Sequence, residues 1–393
     1  MRSQSSSVSN IEQSLALLEE WISKNGWSGY DPYDIRGTPL ILALLKMGYI
    51  GRGFCLLVLD RFPGFSRRLL KVRPQINAKA MGLFAEGYLT LYQKKGTPNY
   101  WHKAEECFDW LLANANQDYG GLGWGYPFSW QTRVFIPKGT PSSVVTSIVA
   151  RAFLKKYAMN GNDNQTKQIL LKIGGFLSKG LNFEDRGENG CFSYTPIDTF
   201  HVHNANLFTV STLYKLYDIF GEESEIDMGR VEEALAFTLK AQNEDGSWYY
   251  WGKPDKVSSN QIDVYHTGFI LRCLEDIYSI TGEDALLHKM ERGLYFHKEC
   301  LFCVDGHPRC SPSQDYPVDI HSCAEGILSF KALERFDSSN IEMLMKVTDW
   351  TIENMQDKEG WFYHRLNKNG SKVKFPYIRW GQAWMFNALT KIS

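Results

Sequence analysis

The sequence predicts an all-α fold, an (α/α) toroid in which six or seven helical hairpins form an inner and an outer ring of helices. Two observations lead to this prediction. A turn rich in glycine and aromatic residues recurs along the chain, and one copy reads "AQNEDGSWYYWG" at 241–252. Between the turns, amphipathic helical patterns alternate with mostly apolar ones, as expected for outer helices that face solvent and inner helices that line a ring.

The recurring turn marks the period of the fold. Its aromatic or equivalent positions are Trp27, Trp124, Phe192, Trp248, His307 and Trp361. From Trp124 onward, successive positions are 68, 56, 59 and 54 residues apart, and such a period suits a helical hairpin with a long loop. We interpret the glycine as the positive-φ residue that ends a helix, and the aromatic side chain as a plug between neighbouring hairpins.

The helices follow one another in a regular order. Outer-ring helices are predicted at 10–23, 100–115, 164–180, 228–242, 284–299 and 339–355, and inner-ring helices at 75–93, 141–157, 204–219, 263–279, 319–335 and 377–391. Residues 36–72 predict a further hairpin, which is less regular because of its prolines. Residues 1–9 predict a disordered polar tail, and 10–393 a single domain without a linker. An open array or two bundles is the alternative architecture.

The composition excludes several functional classes. A net charge of −1 leaves no basic surface for nucleic acid, and no apolar run is long enough for membrane insertion. Eight irregularly spaced cysteines and the lack of a secretory signal predict reduced thiols and a cytoplasmic location. The 12 Trp, 20 Tyr and 23 Phe exceed what a core requires, and both carbohydrate clefts and prenyl pockets use such a surplus.

Three histidines define the candidate site. In a toroid, the first turns of the inner helices line one funnel, where chemistry is expected. Three consecutive inner helices begin in register with His203, His266 and His321, each followed by two small or polar residues. Because equivalent positions of neighbouring hairpins face one cavity, we predict that the three imidazoles converge.

Acidic, amide and phenolic side chains accompany these histidines. Asp263 and Tyr265 precede His266 directly, Asn204 follows His203, and Asp319 and Glu325 lie on either side of His321. Helix N-capping explains Asp263 and Asp319 equally well, and capping is compatible with a functional role.

The remaining candidates are substrate-binding residues from the last inner helix and from two loops. They are Arg379, Trp380, Gln382 and Trp384 in "PYIRWGQAWMF", Asp31, Tyr33 and Asp34 in "GYDPYD", and Trp124 as a stacking platform. A guanidinium group between aromatic rings is suited to hold a sugar carboxylate or a phosphate.

Metal binding is the less favoured interpretation, and we predict neither a metal nor a cofactor. Two patterns keep zinc open as an alternative. The segment "CLFCVDGHPRC" spaces Cys300, Cys303, His307 and Cys310 loosely like a zinc knuckle, and three convergent histidines are also potential zinc ligands.

Several of these segments resemble a known family. In the same order, "GYDPYD", "INAKAMGLFAEGYLTLY", "YPVDIHSCAEGIL" and "PYIRWGQAWMFNAL" resemble bacterial and archaeal proteins encoded among polysaccharide-biosynthesis genes, some of which carry a δ-aminolevulinic acid dehydratase label. The resemblance covers nearly the whole chain and implies a toroid related to six-hairpin glycosidases and sugar epimerases. "RWGQAW" is also similar to a segment of unsaturated glucuronyl hydrolases, but their catalytic Asp-Asp pair has no match here.

A second resemblance points to isoprenoid chemistry. "QNEDGSW" is similar to the Q-x-x-x-G-x-W repeat of squalene cyclases, and "DVYHTGF" to the zinc-ligand segment of protein prenyltransferase β-subunits. The Asp-x-Cys ligand pair of those transferases is missing, since "DTFHVHNANLF" stands in its place.

From these residues we predict an enzyme that acts on an acidic, uronate-containing oligosaccharide or polysaccharide during glycan biosynthesis. In an epimerase or lyase, Arg379 and Gln382 would neutralise the substrate carboxylate. His266 or Tyr265 would take the α-proton, and His321 would protonate the opposite face.

Three other interpretations stay open. A hydrolase would use Asp263 and Asp319 as paired carboxylates. A non-catalytic toroid would bind a glycan or associate with other glycan-biosynthesis enzymes. A prenyltransferase-like or terpene cyclase-like protein would bind an isoprenoid and, for prenyl transfer, zinc.

Overall fold

The computed structural model describes residues 2–45, 62–161, 163–184, 190–255 and 260–393. The helices in this part of the chain are α1 (Arg2–Asn25), α2 (Pro39–Leu45), α3 (Pro63–Leu69), α4 (Ala78–Lys95), α5 (Pro98–Ala113), α6 (Ser143–Asn160), α7 (Asn164–Gly175), α8 (His203–Phe220), α9 (Met228–Lys240), α10 (Val264–Thr281), α11 (Asp284–Leu301), α12 (Ile320–Ala332), α13 (Ser339–Met355) and α14 (Trp384–Ile392). Short π-helical segments, Phe176–Gly180 and Ile378–Ala383, follow α7 and precede α14.

Two-residue strands join the loops at the ends of the helices. They are β1 (Ser28–Gly29), β2 (Gln75–Ile76), β3 (Trp130–Gln131), β4 (Phe135–Ile136), β5 (Phe183–Glu184), β6 (Cys191–Phe192), β7 (Val318–Asp319), β8 (Arg365–Leu366) and β9 (Lys372–Val373). All pairings are antiparallel: β1 with β2, β3 with β4, β5 with β6, and β7–β8–β9 in one small sheet.

Six helices form a closed inner ring. Each of α4, α6, α8, α10, α12 and α14 packs against the next, and α14 packs against α4. The outer helices α5, α7, α9, α11 and α13 each pack on the inner helix that precedes them, and α1 packs on α14. The fold is therefore an (α/α)6 toroid, closed by its first and last helices. The further hairpin predicted at 36–72 is described only at α2 and α3, since 46–61 lie outside the described residues.

The two rings differ in burial as the sequence predicts. In α4 every residue from Ala78 to Leu91 is buried. In the outer helix α9 a single stripe is buried, comprising Val231, Ala234, Leu235, Phe237 and Thr238. A helix buried on all sides is mostly apolar all round, whereas one buried along a stripe is amphipathic, and this difference is the alternation predicted from the sequence.

The recurring glycine ends a helix at Gly26, as predicted, where φ is +72° directly after α1, but it has a different role at Gly246. Gly246 has a φ of +93°, but α9 already ends at Lys240, so the glycine does not end the helix. A Cβ atom at Gly246 would lie 2.4 Å from the carbonyl oxygen of Arg292 in α11, so the turn packs directly against the backbone of the next outer helix. The aromatic plug is confirmed at Trp248, which is buried and donates from Nε1 to the carbonyl of Thr238 at 2.9 Å.

Glutamine side chains connect these turns to the next hairpin. Gln242 Nε2 donates to the carbonyl oxygens of Gly246, at 3.0 Å, and Lys289, at 2.9 Å. Gln356 makes the equivalent bonds, and its second acceptor is the carbonyl of Ser14 in α1, at 3.0 Å. The Q-x-x-x-G pattern therefore holds neighbouring hairpins together, and its last copy closes the ring. This structural role accounts for the similarity to the cyclase repeat.

The amino-terminal helix begins at Arg2 and runs through the segment for which the sequence predicts a tail. The division into a tail and a single domain stays a prediction. Among the described helices, none combines the length and the apolar character needed to cross a membrane.

Candidate active site

The two capping aspartates organise the site. Asp263 caps α10 and accepts a hydrogen bond from the backbone N–H of His266 at 2.9 Å. Asp319 caps α12 and accepts one from the N–H of His321, also at 2.9 Å. The capping interpretation is thus confirmed, and it fixes both histidines in the first turn of an inner helix.

His266 is held by a carboxylate. Its Nδ1 lies 2.6 Å from Oδ2 of Asp263, and its side chain is 22% exposed. An ionised carboxylate only accepts hydrogen bonds, so Nδ1 carries the hydrogen and Nε2 of the neutral ring keeps its lone pair. The contact also fixes the orientation of the ring.

His321 is held by a backbone carbonyl and is buried. Its Nδ1 lies 3.1 Å from the carbonyl oxygen of Trp380. Burial, reinforced by the positive charges of Lys79 and Arg379, lowers the pKa of His321 well below its ordinary value. The ring is therefore neutral at pH 7, with its hydrogen on Nδ1 and a lone pair on Nε2.

The two imidazoles share one aromatic wall. The ring of Tyr265 lies 4.3 Å from that of His266 and 4.9 Å from that of His321, centroid to centroid. Phe269 contacts both as well, at 6.4 and 5.8 Å. Burial raises the pKa of Tyr265 well above its ordinary value, so its phenol stays protonated and is unsuited to act as a base.

His203 does not join this pair, and the prediction of three convergent histidines is wrong at this position. Its ring stacks on Phe237 with a centroid distance of 5.0 Å, and Nδ1 lies 3.3 Å from Oγ1 of Thr238 in α9. Burial lowers the pKa of His203 to about 4, as for a neutral histidine in the core. The adjacent Asn204 is also buried.

Asp319 serves as a fixed anion. Its Oδ1 accepts from Nε1 of Trp380 at 2.7 Å, and Oδ2 accepts from Nε of Arg365 at 3.0 Å. Burial alone would raise the pKa of Asp319, but the charges of His364 and Arg365 outweigh it and lower the pKa. An aspartate that stays ionised and has partners on both oxygens is not a general acid.

Arg379 lies among aromatic rings, as the sequence predicts. Its guanidinium carbon lies 5.9 Å from the ring centroid of Tyr33, 5.2 Å from Tyr126 and 4.9 Å from Trp380. The expectation that it is available to a substrate anion is not met, because Nε and Nη2 both donate to the carboxylate of Asp31. This buried bidentate pair neutralises the charge of Arg379.

Two predicted substrate-binding residues are structural instead. Gln382 is fully buried, accepts from the N–H of Phe362 at 2.8 Å and donates to its carbonyl at 2.9 Å. Trp124 is a buried plug whose Nε1 donates to the carbonyl of Leu111 at 2.7 Å. Hydrogen bonds to the backbone satisfy both polar groups, so neither is available to a sugar.

Two predicted acidic residues are paired within the protein. The carboxylate of Asp34 lies 2.7 Å from Nη2 of Arg67. Glu325 has no exposed surface, and its Oε1 lies 2.9 Å from Nε of Arg272. Burial raises the pKa of Glu325 to about 7. Both belong to the interior, one under the first loop and the other below the mouth.

Lys79, in the first turn of α4, was not among the residues predicted from the sequence. Its Nζ lies over two rings of the mouth, 5.1 Å from the centroid of Trp384 and 5.6 Å from that of Phe269. A lysine at the second position of a predicted inner-ring helix was the available signal. Tyr250, whose ring lies 4.3 Å from that of His266, was missed as well, although it belongs to the recurring turn.

The zinc alternatives find no ligand set in the structure. Within the described ranges, no group of three or more His, Cys, Asp or Glu side chains is placed to hold a metal ion. His203 lies apart from the other two histidines, and His307 instead contacts Asp305, with Nδ1 2.6 Å from Oδ1.

No family model matches the chain, and no curated protein matches it. Solved structures do. A sugar epimerase from a ruminal bacterium matches at 14% identity with a TM-score of 0.58, over 80% of this chain and 87% of that one. Cellobiose 2-epimerase from Bacillus thermoamylovorans matches at 13% identity with a TM-score of 0.63, over 81% of this chain and 88% of that one. Unsaturated glucuronyl hydrolase from Streptococcus agalactiae matches at 12% identity with a TM-score of 0.59, over 99% of this chain and 90% of that one.

These matches define the structural class. At such low identity they establish a shared fold, the six-hairpin toroid. The three neighbours with this fold are two sugar epimerases and a glycosidase. Function must be argued from the site.

Proposed function

We propose that the protein is a carbohydrate-active enzyme that removes and returns a proton at a sugar carbon next to a carbonyl or carboxyl group, as an epimerase does. Its substrate is an acidic, uronate-containing saccharide. The observation that carries the proposal is the pair His266 and His321, which share one aromatic wall and both engage Nδ1 with an acceptor. Each neutral ring thus keeps its Nε2 lone pair for proton transfer.

The surroundings of the two rings assign their roles. His321 is neutral, so its Nε2 takes the proton from carbon and the electron pair passes into the adjacent carbonyl or carboxyl group. Nε2 of His266 first takes a proton from solvent, to which the side chain is 22% exposed, and the ring then returns that proton to the opposite face. This order reverses the one predicted from the sequence, because the burial of His321 was not visible there.

Hydrolysis is less well supported. Asp263 is occupied by His266, and Asp319 is held ionised by Arg365 and Trp380. Glycoside hydrolysis needs one carboxyl group that is protonated and able to reach the leaving oxygen, and neither aspartate provides it. The prenyl alternative lacks a zinc ligand set among the described residues.

The cellular setting is inferred from the sequence. On the resemblance of the "DIHS" and "RWGQAW" segments to proteins encoded among polysaccharide-biosynthesis genes, we propose a role in glycan assembly, and on the irregularly spaced cysteines a cytoplasmic location.

Proton exchange with solvent tests the proposal. The protein is incubated in D2O with a panel of uronate-containing and neutral saccharides, and deuterium at carbon is followed by NMR and mass spectrometry. We expect incorporation at one stereocentre, reduced by about 100- to 10,000-fold in His266→Asn and His321→Asn. His288→Asn, an exposed histidine on α11, is the matched control and retains full exchange.

Two results would contradict the proposal. One is exchange that survives in both variants. The other is tight saccharide binding with no exchange at any carbon, which is the outcome expected of a non-catalytic glycan-binding toroid.

A further inference from the structure

Charged side chains of the inner helices have ion-pair partners, whether they are buried or up to 27% exposed. The pairs are Arg379 with Asp31, Arg272 with Glu325, Lys391 with Glu86, and both Arg151 and Lys215 with Asp276. Burying a charge is costly unless a counter-charge is placed beside it. The pairing shows that the fold meets this requirement consistently in the interior.

Lys79 is the exception. It is 3% exposed, and among the residues that the structure describes its Nζ has neither an ion-pair partner nor a hydrogen-bond acceptor. Its closest contacts are the rings of Trp384 and Phe269. The nearby carboxyl groups of Asp31 and Glu325 are already paired with Arg379 and Arg272, so neither forms an ion pair with Nζ of Lys79.

Two further donors near Lys79 lack acceptors. Trp384 Nε1 and Asn77 Nδ2 are buried without a hydrogen-bond partner in the described part of the chain. The other end of the Asn77 amide caps α4, where Oδ1 accepts from the N–H of Lys79 at 3.0 Å. Buried donors without acceptors are rare in native proteins, and two of them on residues that contact or cap Lys79, together with its unpaired amine, favour a ligand rich in acceptor oxygens.

We propose that Lys79 binds the carboxylate of the acidic sugar, which supplies the counter-ion that the protein does not provide. The proposal rests on the carbohydrate function proposed above and replaces Arg379 in the carboxylate-binding role predicted from the sequence. Arg379 is already neutralised by Asp31, so it contributes little free energy to the binding of a substrate anion.

Substrate binding is then linked to protonation. Burial, together with the positive charge of Arg379, lowers the pKa of Lys79 well below its usual range. The other charged or titratable groups that act on this amine are Asp31, Glu325 and Arg272, and His321 lies close enough to feel its charge. A bound carboxylate favours the ammonium form, so at a pH where the free amine is neutral, binding takes up a proton.

Calorimetric titration with D-glucuronate and with neutral D-glucose tests the assignment in the wild type and in Lys79→Met. We expect glucuronate affinity to fall by about 10- to 100-fold in the variant, the effect of one charged hydrogen bond, and glucose affinity to stay the same. The melting temperature should not fall, because methionine keeps the apolar stem and removes the unpaired amine. Lys95→Met, an exposed lysine at the other end of α4, is the matched control and changes neither affinity.

Two results would overturn the assignment: glucuronate binding that is unchanged in Lys79→Met, and a wild type that does not distinguish glucuronate from glucose. Should the variant fail to fold, titrating the wild type with glucuronate in two buffers of different ionisation enthalpy replaces it. Proton uptake is expected with glucuronate and not with glucose, and its absence would count against Lys79. Histidine-dependent deuterium exchange on a neutral sugar would still support the proposed acid–base function, so the two proposals fail separately.

Discussion

The mouth of the toroid and its axis contain the same types of charged side chain but differ in how those side chains are paired. We define the axial network as the paired charges below the mouth, which are Glu86, Arg151, Lys215, Arg272, Asp276, Glu325 and Lys391. Lys79 is the second residue of α4 and Glu86 the ninth, so at 1.5 Å per residue the network begins about 10 Å deeper than the mouth. In the network every charged group has an ion-pair partner, with four cations sharing three anions, whereas Nζ of Lys79 at the mouth has none among the described residues.

This difference separates structural polarity from functional polarity. Inner helices packed around a ring need polar groups along the axis, and pairing them costs little free energy of folding. An unpaired buried group lowers the stability of the fold. Such a group is retained where a ligand completes the site. The mouth, with two Nε2 lone pairs and an unmatched amine, is therefore the place to look for function, although it carries fewer charges than the axis.

Breaking the axial network should give the largest loss of stability. Glu86 pairs with Lys391 at 2.7 Å and accepts from Asn387 at 3.0 Å. In Glu86→Gln the partly buried Lys391 loses its counter-charge, and we expect the free energy of unfolding to fall by about 3 kcal/mol, the lower end of the range for a broken buried pair. Chemical denaturation measures this. An unchanged midpoint would show that the axis tolerates unpaired charge as the mouth does, and the comparison would fail.

Acidification should reveal which histidines belong to the interior. The folded pKa of His203, about 4, lies below its unfolded value of 6.5. The unfolded chain therefore binds the proton first, and the stability contributed by the neutral ring is complete above pH 6.5 and lost as the pH falls toward 4. The loss amounts to about 3 kcal/mol.

His203→Asn should remove this part of the acid sensitivity in unfolding experiments at several pH values. Deuterium exchange at neutral pH should stay close to wild type, since the ring lies away from His266 and His321. Loss of exchange in a folded His203→Asn protein would return His203 to the catalytic group.

The smallest effect is expected where an ion pair is exposed. Lys331 lies 2.8 Å from Glu334, as close as the axial pairs, but the two side chains are 36% and 38% exposed. Lys331→Ala should change the unfolding free energy by less than about 0.5 kcal/mol, because water already solvates both charges. A loss comparable to that of Glu86→Gln would mean that pair geometry, and not burial, decides the energetics.

The sequence predicts the rings well and the site only in part. Helix periodicity reports burial directly, so all twelve helices of the two rings were found. The site depends on contacts between distant segments. Asp31 and Arg379 are 348 residues apart, and no local pattern shows that one neutralises the other.

His203 illustrates the same limit. The sequence pattern aligns it with His266 and His321, but it is the first residue of its helix, whereas His321 is the second and His266 the third. Phe237 and Thr238 of the neighbouring outer helix pack around His203, and this packing between helices was not visible in the sequence.

A crystal structure of the protein with D-glucuronate bound tests the central claim most directly. The account predicts the sugar at the mouth, with its carboxylate within hydrogen-bond distance of Lys79 Nζ and its ring between Nε2 of His266 and Nε2 of His321. A carboxylate bound elsewhere, with Lys79 still unpaired and neither histidine facing the sugar, would contradict it.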